Sequence, residues 1–295
     1  MTAAQPIRKR EATEGRNLEH PPVPEPLPFG VFDNHTHLEF EDGIETLLPE
    51  VSLRLASEVG VRGVVQVGTD LATSHWGVEL ARTDPRVKAA IALHPNEAPR
   101  LSAQGLLGEQ LEEIAVLAQD PAVCAVGETG LDFFRTGEDG RDAQFESFEA
   151  HIDIAKVNNL ALQIHDRDAH EAVFETLTRV GAPERTVLHC FSGDLDFAKV
   201  CLERGWFLSF AGTVTFKSAH PLREALAYAP RDRILVETDA PFLTPEPFRG
   251  RPNASYLIPH TVRMMAAHRG DDLEVLCQAL AANTEAVYGT WSAGE

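Results

Sequence analysis

The sequence is short of cysteine, of basic charge and of long apolar runs, and each deficit removes a class of protein. Cys124, Cys190, Cys201 and Cys277 are its four cysteines in 295 residues, and no two form a C-x-x-C pair. Such spacing builds neither a disulfide framework nor a structural zinc finger, and three of the four sit in apolar runs, as small buried thiols do. Lys and Arg number 26 against 45 Asp and Glu, a formal charge of −19. That surface lacks the basic footprint of a protein held to nucleic acid by counterion release, so any phosphate substrate would be held transiently, by metals and a few local cations. No apolar stretch approaches the roughly 20 residues of a membrane span, and no apolar run of a secretory leader follows Arg8-Lys9-Arg10. A cytoplasmic protein with no membrane partner is the expectation. Glycine-rich phosphate loops and G-x-S-x-G elbows are missing too, which removes nucleotide-cofactor and serine-hydrolase chemistry.

What is present is a rhythm. Residues 1–28 are polar and end in the proline-rich run Pro21 to Pro28, the composition of a flexible tail with a stiff lead-in. From Val31, short β-branched runs recur at Val31–His37, Val61–Gly68, Val87–Leu93, Val123–Glu128, Ala161–His165, Thr186–His189, Trp206–Phe210 and Ile234–Glu237. Between them lie longer stretches of helical spacing, among them Leu47–Val59, Leu106–Ala118, Phe145–Asn158 and Ala169–Val180, with Ile258–His268 and Leu273–Tyr288 at the end. Strands alternating with helices predict βαβ units in a parallel sheet, and eight such units close a (β/α)8 TIM barrel. No linker composition follows residue 28, so residues 29–295 are expected to form one catalytic domain.

The polar residues that close these runs are metal ligands by type. His35 and His37 flank one residue at the end of the first run, and in a strand residues i and i+2 face the same side. Glu128, His165, His189 and Asp239 each close a later run. In a barrel of this kind, active sites gather where the strands give way to the βα loops. Six ligand-type residues at equivalent strand ends therefore predict a divalent-metal site.

In sequence order, Asp33-x-His35-x-His37, Leu93-His94-Pro95, Gly127-Glu128-Thr129-Gly130-Leu131-Asp132, Ile164-His165-x-Arg167, His189-Cys190-Phe191-Ser192-Gly193 and Glu237-Thr238-Asp239-Ala240-Pro241 together resemble the TatD family of metal-dependent deoxyribonucleases, within the amidohydrolase superfamily. The resemblance runs from about residue 31 to about residue 290. It implies two divalent ions, with Zn, Mn, Fe or Ni suiting the mixed ligands and Mg less so. His35, His37, Glu128 and Asp239 would hold one ion. Glu128, His165 and His189 would hold the other, which makes Glu128 the bridge. It also implies hydrolysis of DNA phosphodiesters, as an exonuclease acting on exposed ends or single strands. DNA is then a transient substrate, and Asp239 orients the attacking water or takes its proton. A glutamate bridge separates this pattern from superfamily relatives that use a carboxylated lysine.

Further positions follow from the same resemblance. His94 is a candidate for substrate contact or proton transfer, in a motif where many relatives have a second histidine in place of Asn96. Asp132 is a candidate acceptor for a ligand histidine. Arg135, Arg167 and Arg249 are candidate phosphate contacts through their planar forks. Phe133-Phe134 stands where the family commonly has a tyrosine. Hydrolysis of another ester or amide, such as an aminoacyl–nucleic acid bond, would use the same ligands. A non-catalytic metal-binding protein would need a closed site.

Overall fold

Each β-branched run becomes a strand of one parallel sheet. The computed structural model describes residues 6–10 and 15–291. Its barrel strands are β1 (Val31–Thr36), β2 (Val61–Val67), β3 (Val87–Ile91), β4 (Val123–Asp132), β5 (Ala161–Arg167), β6 (Thr186–Leu188), β7 (Phe207–Phe210) and β8 (Ile234–Val236). They pair in chain order, every pair parallel. The helices are α1 (Pro49–Glu58), α2 (Leu71–Thr83), α3 (Ala98–Ala103), α4 (Leu107–Leu117), α5 (Glu138–Val157), α6 (His170–Val180), α7 (Leu195–Glu203), α8 (His220–Tyr228), α9 (Ile258–Arg269) and α10 (Leu273–Tyr288). This is the expected (β/α)8 barrel. Strands covered on both faces must be apolar throughout, and Val64, Val65 and Val67 of β2 are fully buried accordingly. The helices bury one stripe each, as with Val173, Thr176 and Leu177 of α6.

The seam where β8 meets β1 closes beside the expected site. Thr36 bridges Ala240, the Asp239 amide donates to the His35 carbonyl at 2.9 Å, and the His37 amide donates to the Ala240 carbonyl at 2.9 Å. Asp33 completes the seam by accepting from the Thr238 amide at 2.9 Å and from its hydroxyl at 2.5 Å. Closing the cylinder therefore sets His35, His37 and Asp239 side by side.

Three elements run beyond their expected limits. β4 and β5 extend past Glu128 and His165, because the pairing slips by one residue between Val126↔Leu162 and Thr129↔Ile164 and then continues to Asp132↔Arg167. Glycine permits the slip. Gly127 has φ +155°, and a Cβ there would lie 2.5 Å from that of Gln163; Gly130 has φ +141°, and its Cβ would fall on the His165 carbonyl. α5 begins at Glu138, well before Phe145, because its first turn is acidic and half exposed and carries no apolar stripe to mark it.

The proline-rich segment, read from composition as a flexible tail, follows the outside of the barrel with partners along its length. Tyr256 donates to the Pro21 carbonyl at 2.6 Å, Arg263 donates to the carbonyls of Glu25 and Pro26, and the Leu27 amide donates to Val59. Residues 1–5 and 11–14 of that tail lie outside the described residues.

His151 of α5 is wholly buried. Its Nε2 accepts the Leu93 amide at 3.1 Å and its Nδ1 donates to the Ser147 carbonyl at 2.6 Å. Burial pushes this imidazole down to about 4. Below pH 6.5 the unfolded chain takes up a proton that the folded chain refuses, so this contribution is lost as pH falls from 6.5 towards 4. Between pH 7 and 5 the wild type should lose about 2 kcal/mol more stability than His151→Gln, read from denaturant midpoints. Parallel losses in the two proteins would contradict this reading of His151.

Candidate metal centre

Five side chains, from β1 and its end, from β5 and from the ends of β6 and β8, converge on Glu128 of β4. Its Oε1 lies 3.3 Å from His37 Nε2 and 3.6 Å from His35 Nε2. Asp239 Oδ1 lies 3.6 Å from the first of these nitrogens and 3.8 Å from the second. The opposite oxygen, Oε2, lies 3.1 Å from both His165 Nδ1 and His189 Nε2. Ligand atoms of His35, His37 and Glu128, of His35, His189 and Asp239, and of His94, Glu128 and His165 fall within 4.8 Å of one another, close enough to share an ion. The expected ligands are thus brought together, with the carboxylate between two groups of imidazoles.

The far nitrogen of each imidazole decides what the near one can do. His35 Nδ1 donates to Gln163 Oε1 at 3.1 Å, the amide being oriented by its own donations to the Asn34 carbonyl and the Tyr288 hydroxyl at 2.8 Å each. His37 Nδ1 donates to the Val67 carbonyl at 3.0 Å. His189 Nδ1 donates to Glu237 Oε1 at 3.1 Å, and His165 Nε2 donates to Asp132 Oδ2 at 3.3 Å. A neutral imidazole whose far nitrogen holds the proton turns a bare lone pair inward. All four histidines are set in this way.

Lone pairs pointed at one another and at a carboxylate need something positive between them. His35 Nε2 and His37 Nε2 are only 3.3 Å apart. Burial opposes charge on His37, His165 and His189, yet the surrounding carboxylates outweigh it and raise all three. His35 is lowered by burial and by His189. Burial also opposes ionisation of Glu128, and the imidazoles of His94, His165, His189 and His35 outweigh it, holding the acid well below its usual range. Protons or a cation satisfy such a set, and a donor set of imidazoles and carboxylates suits a divalent transition metal. The residues fit the group.

His94, after β3, has the reverse arrangement. Its Nδ1 accepts the Asn96 amide at 3.0 Å, so in the neutral ring Nε2 carries the hydrogen, 3.6 Å from Glu128 Oε2. It faces the centre as a donor. Asn96, where a second imidazole was expected in relatives, holds Asp132 instead, at 3.0 Å.

The centre opens into a cavity of about 570 Å³ lined by Arg8, Phe40, Thr69, Asp132, Arg135, Arg167 and Phe242 together with the inner residues. Arg167 stands over the Phe134 ring at 3.9 Å. Arg249 is not brought there: it is exposed and stacks on Phe216 at 4.1 Å, outside the cavity lining. The functional neighbours that sequence reasoning missed are Gln163, Glu237, Tyr288 and Arg8. Glu237 stood inside a quoted motif; a buried acid beside a ligand was the signal. Cys190 and Asp239, at the loop starts, have φ of 42° and 53°, left-handed values that turn the chain sharply at the ligands.

The family described as TatD related DNase matches residues 32–289. A Mycobacterium tuberculosis protein named metal-dependent hydrolase TatD is 40% identical over 261 residues, 87% of this chain and 97% of its own. An Erwinia tasmaniensis protein named 3'-5' ssDNA/RNA exonuclease TatD is 34% identical over 244 residues, 80% of this chain and 92% of its own. Among solved structures, the Escherichia coli K12 TatD homologue YJJV superposes with a TM-score of 0.75 at 26% identity, covering 88% of this chain and 98% of its own.

Glu237 also accepts from the Cys190 amide and from Ser209, so its carboxylate is fixed against His189. Glu237→Gln should weaken divalent-metal affinity by about 10- to 100-fold, measured by chelator competition. Unchanged affinity would remove Glu237 from the support of the centre.

Proposed function

The chain belongs to the TatD related DNase family of metal-dependent hydrolases, and on that premise we propose that it hydrolyses phosphodiester bonds at the ends of single-stranded DNA. The observation that carries this reading is Glu128, whose two oxygens face two separate groups of inward lone pairs. We assign His35, His37, Glu128 and Asp239 to one divalent metal, and Glu128, His165 and His189 to a second. When bound, such a pair supplies Lewis acidity to the phosphoryl oxygens and lowers the pKa of the attacking water.

The chain's own residues do the remaining work. Asp239 has 15% of its side chain exposed, against 6% for Glu128, and so reaches towards the cavity. From there it orients the attacking water and receives its proton. His94, with hydrogen on Nε2, donates a hydrogen bond to the departing oxygen, which takes its proton from solvent. Arg135 and Arg167 hold phosphate oxygens at the rim. The cavity falls in the size range of sites that enclose one small ligand, which suits a terminal nucleotide rather than the side of a duplex. A relative named 3'-5' ssDNA/RNA exonuclease TatD supports action at the end of a single strand. Residues 29–295 act as one catalytic domain in this reading.

Ligand and hydrogen-bond donor separate experimentally. With Mn²⁺ and end-labelled single-stranded DNA, Glu128→Ala should lose at least about 10³-fold in kcat/KM, and metal with it. His94→Asn should lose about 10²- to 10³-fold in kcat while retaining metal by elemental analysis. Metal loss in His94→Asn equal to that in His189→Asn would make His94 a ligand. Cleavage undiminished in Glu128→Ala, or cleavage of aminoacyl esters with phosphodiesters untouched, would overturn the proposal.

A further inference from the structure

We propose that the segment carrying Arg8 forms a strand-binding lip on the cavity, with Arg8 contacting a backbone phosphate beyond the reacting one; this rests on the phosphodiester reading above. The segment precedes residue 32, where the family match begins. Arg8–Lys9 pairs in parallel with Phe40–Glu41, through the Arg8 amide to the Glu39 carbonyl at 3.2 Å and the Arg10 amide to the Glu41 carbonyl at 3.1 Å. Strand alternation then separates the three cations. Arg8 lies over Phe40, 5.8 Å from the ring centre, and Arg10 over Phe242 at 5.2 Å. Lys9 points the other way, 78% exposed, beside Glu41.

The two rings place the arginines. Phe40 and Phe242 meet edge to face at 5.5 Å, and each also packs edge-on to His37, at 6.1 and 6.3 Å. Arg10 is committed to structure: it donates to the Pro241 carbonyl at 2.5 Å and pairs with Asp42, which Arg16 also grips with both ends of its fork. Arg8 is placed differently. It lines the cavity beside His37 and His94, with 31% of its side chain exposed. One nitrogen donates to Thr69 Oγ1 at 2.7 Å, and the Thr69 carbonyl accepts the His94 amide at 2.9 Å, so a single residue ties Arg8 to the loop of His94. Another nitrogen pairs with Asp70, which is itself fixed as the N-cap of α2, its Oδ1 accepting the Thr73 amide at 2.8 Å. A guanidinium has five N–H donors, and Arg8 shares the cavity lining with Arg135 and Arg167 as well as with Glu97, Asp132, Asp166 and Asp239. A fixed cation in that setting is a local attractor for a polyanion whose scissile phosphate is held further in.

The test measures binding apart from chemistry. Chelator-treated protein is titrated into a short fluorescein-labelled single-stranded DNA and followed by anisotropy at several salt concentrations. Arg8→Gln should bind about five- to tenfold more weakly and lose about one unit of salt slope, as expected for one phosphate contact. Arg8→Lys should keep the slope, and Lys9→Gln, which removes the same charge from the opposite face, should bind within about twofold of wild type. Equal losses in Arg8→Gln and Lys9→Gln, or no loss in Arg8→Gln, would overturn the lip. So would loss of slope in Arg8→Lys, which would mark Arg8 as a clasp for the segment and no more. Hydrolysis of bis(p-nitrophenyl) phosphate by the metal-loaded wild type separates the two proposals. A wild type that cleaves this ester yet binds no strand overturns the lip alone; one that cleaves neither substrate overturns the phosphodiester reading and the lip with it.

Discussion

Electrostatic frustration around one carboxylate organises this molecule. Glu128 sits buried between four imidazoles that all turn lone pairs towards it, an arrangement that repels itself unless positive charge lies between them. Nothing at the centre itself fixes that orientation. It comes from behind: an amide at Gln163, a carbonyl at Val67, and carboxylates at Asp132 and Glu237 hold the far nitrogens. A cation removes the repulsion, which is why ligand preorganisation and metal affinity are two aspects of one network. His94 marks the limit of the network. Its far nitrogen accepts instead of donating, so the same residue type in the same pocket presents a hydrogen.

Barrel closure delivers these groups to one place. The hydrogen bonds that join β8 to β1 are made by the backbone of His35, His37, Asp239 and Ala240, so the seam and half of the ligand set are the same residues. On the far side, the slip between β4 and β5 turns Glu128 inwards, and two glycines at positive φ allow strands to pass where a side chain would collide. Stability and function share residues here. The buried His151, which holds the Leu93 amide, extends that coupling to the loop of His94.

Much of this was legible in the residues alone. Eight apolar runs, five of them closed by ligand-type residues, specified the barrel and the clustering of His35, His37, Glu128, His165, His189 and Asp239, because strand period and barrel geometry are local rules applied repeatedly. What stayed hidden depends on distant pairings. Gln163 meets His35 across 128 residues of chain, and Glu237 meets His189 across 48. The length of β4 follows from glycine conformations that no periodicity reports. Arg249 looked basic and well placed, but a ring at Phe216 takes its guanidinium. Arg8, in a tail whose composition predicts no fixed structure, reaches the cavity through a strand pair of two residues.

The central claim is that Glu128 divides its two oxygens between two cations. Anomalous diffraction at the metal edge, from crystals of metal-loaded protein, tests it most directly. The account predicts two peaks, one beside His35, His37 and Asp239, the other beside His165 and His189, with Glu128 reaching both. A single peak, or peaks that leave one of the Glu128 oxygens without a metal neighbour, would contradict it.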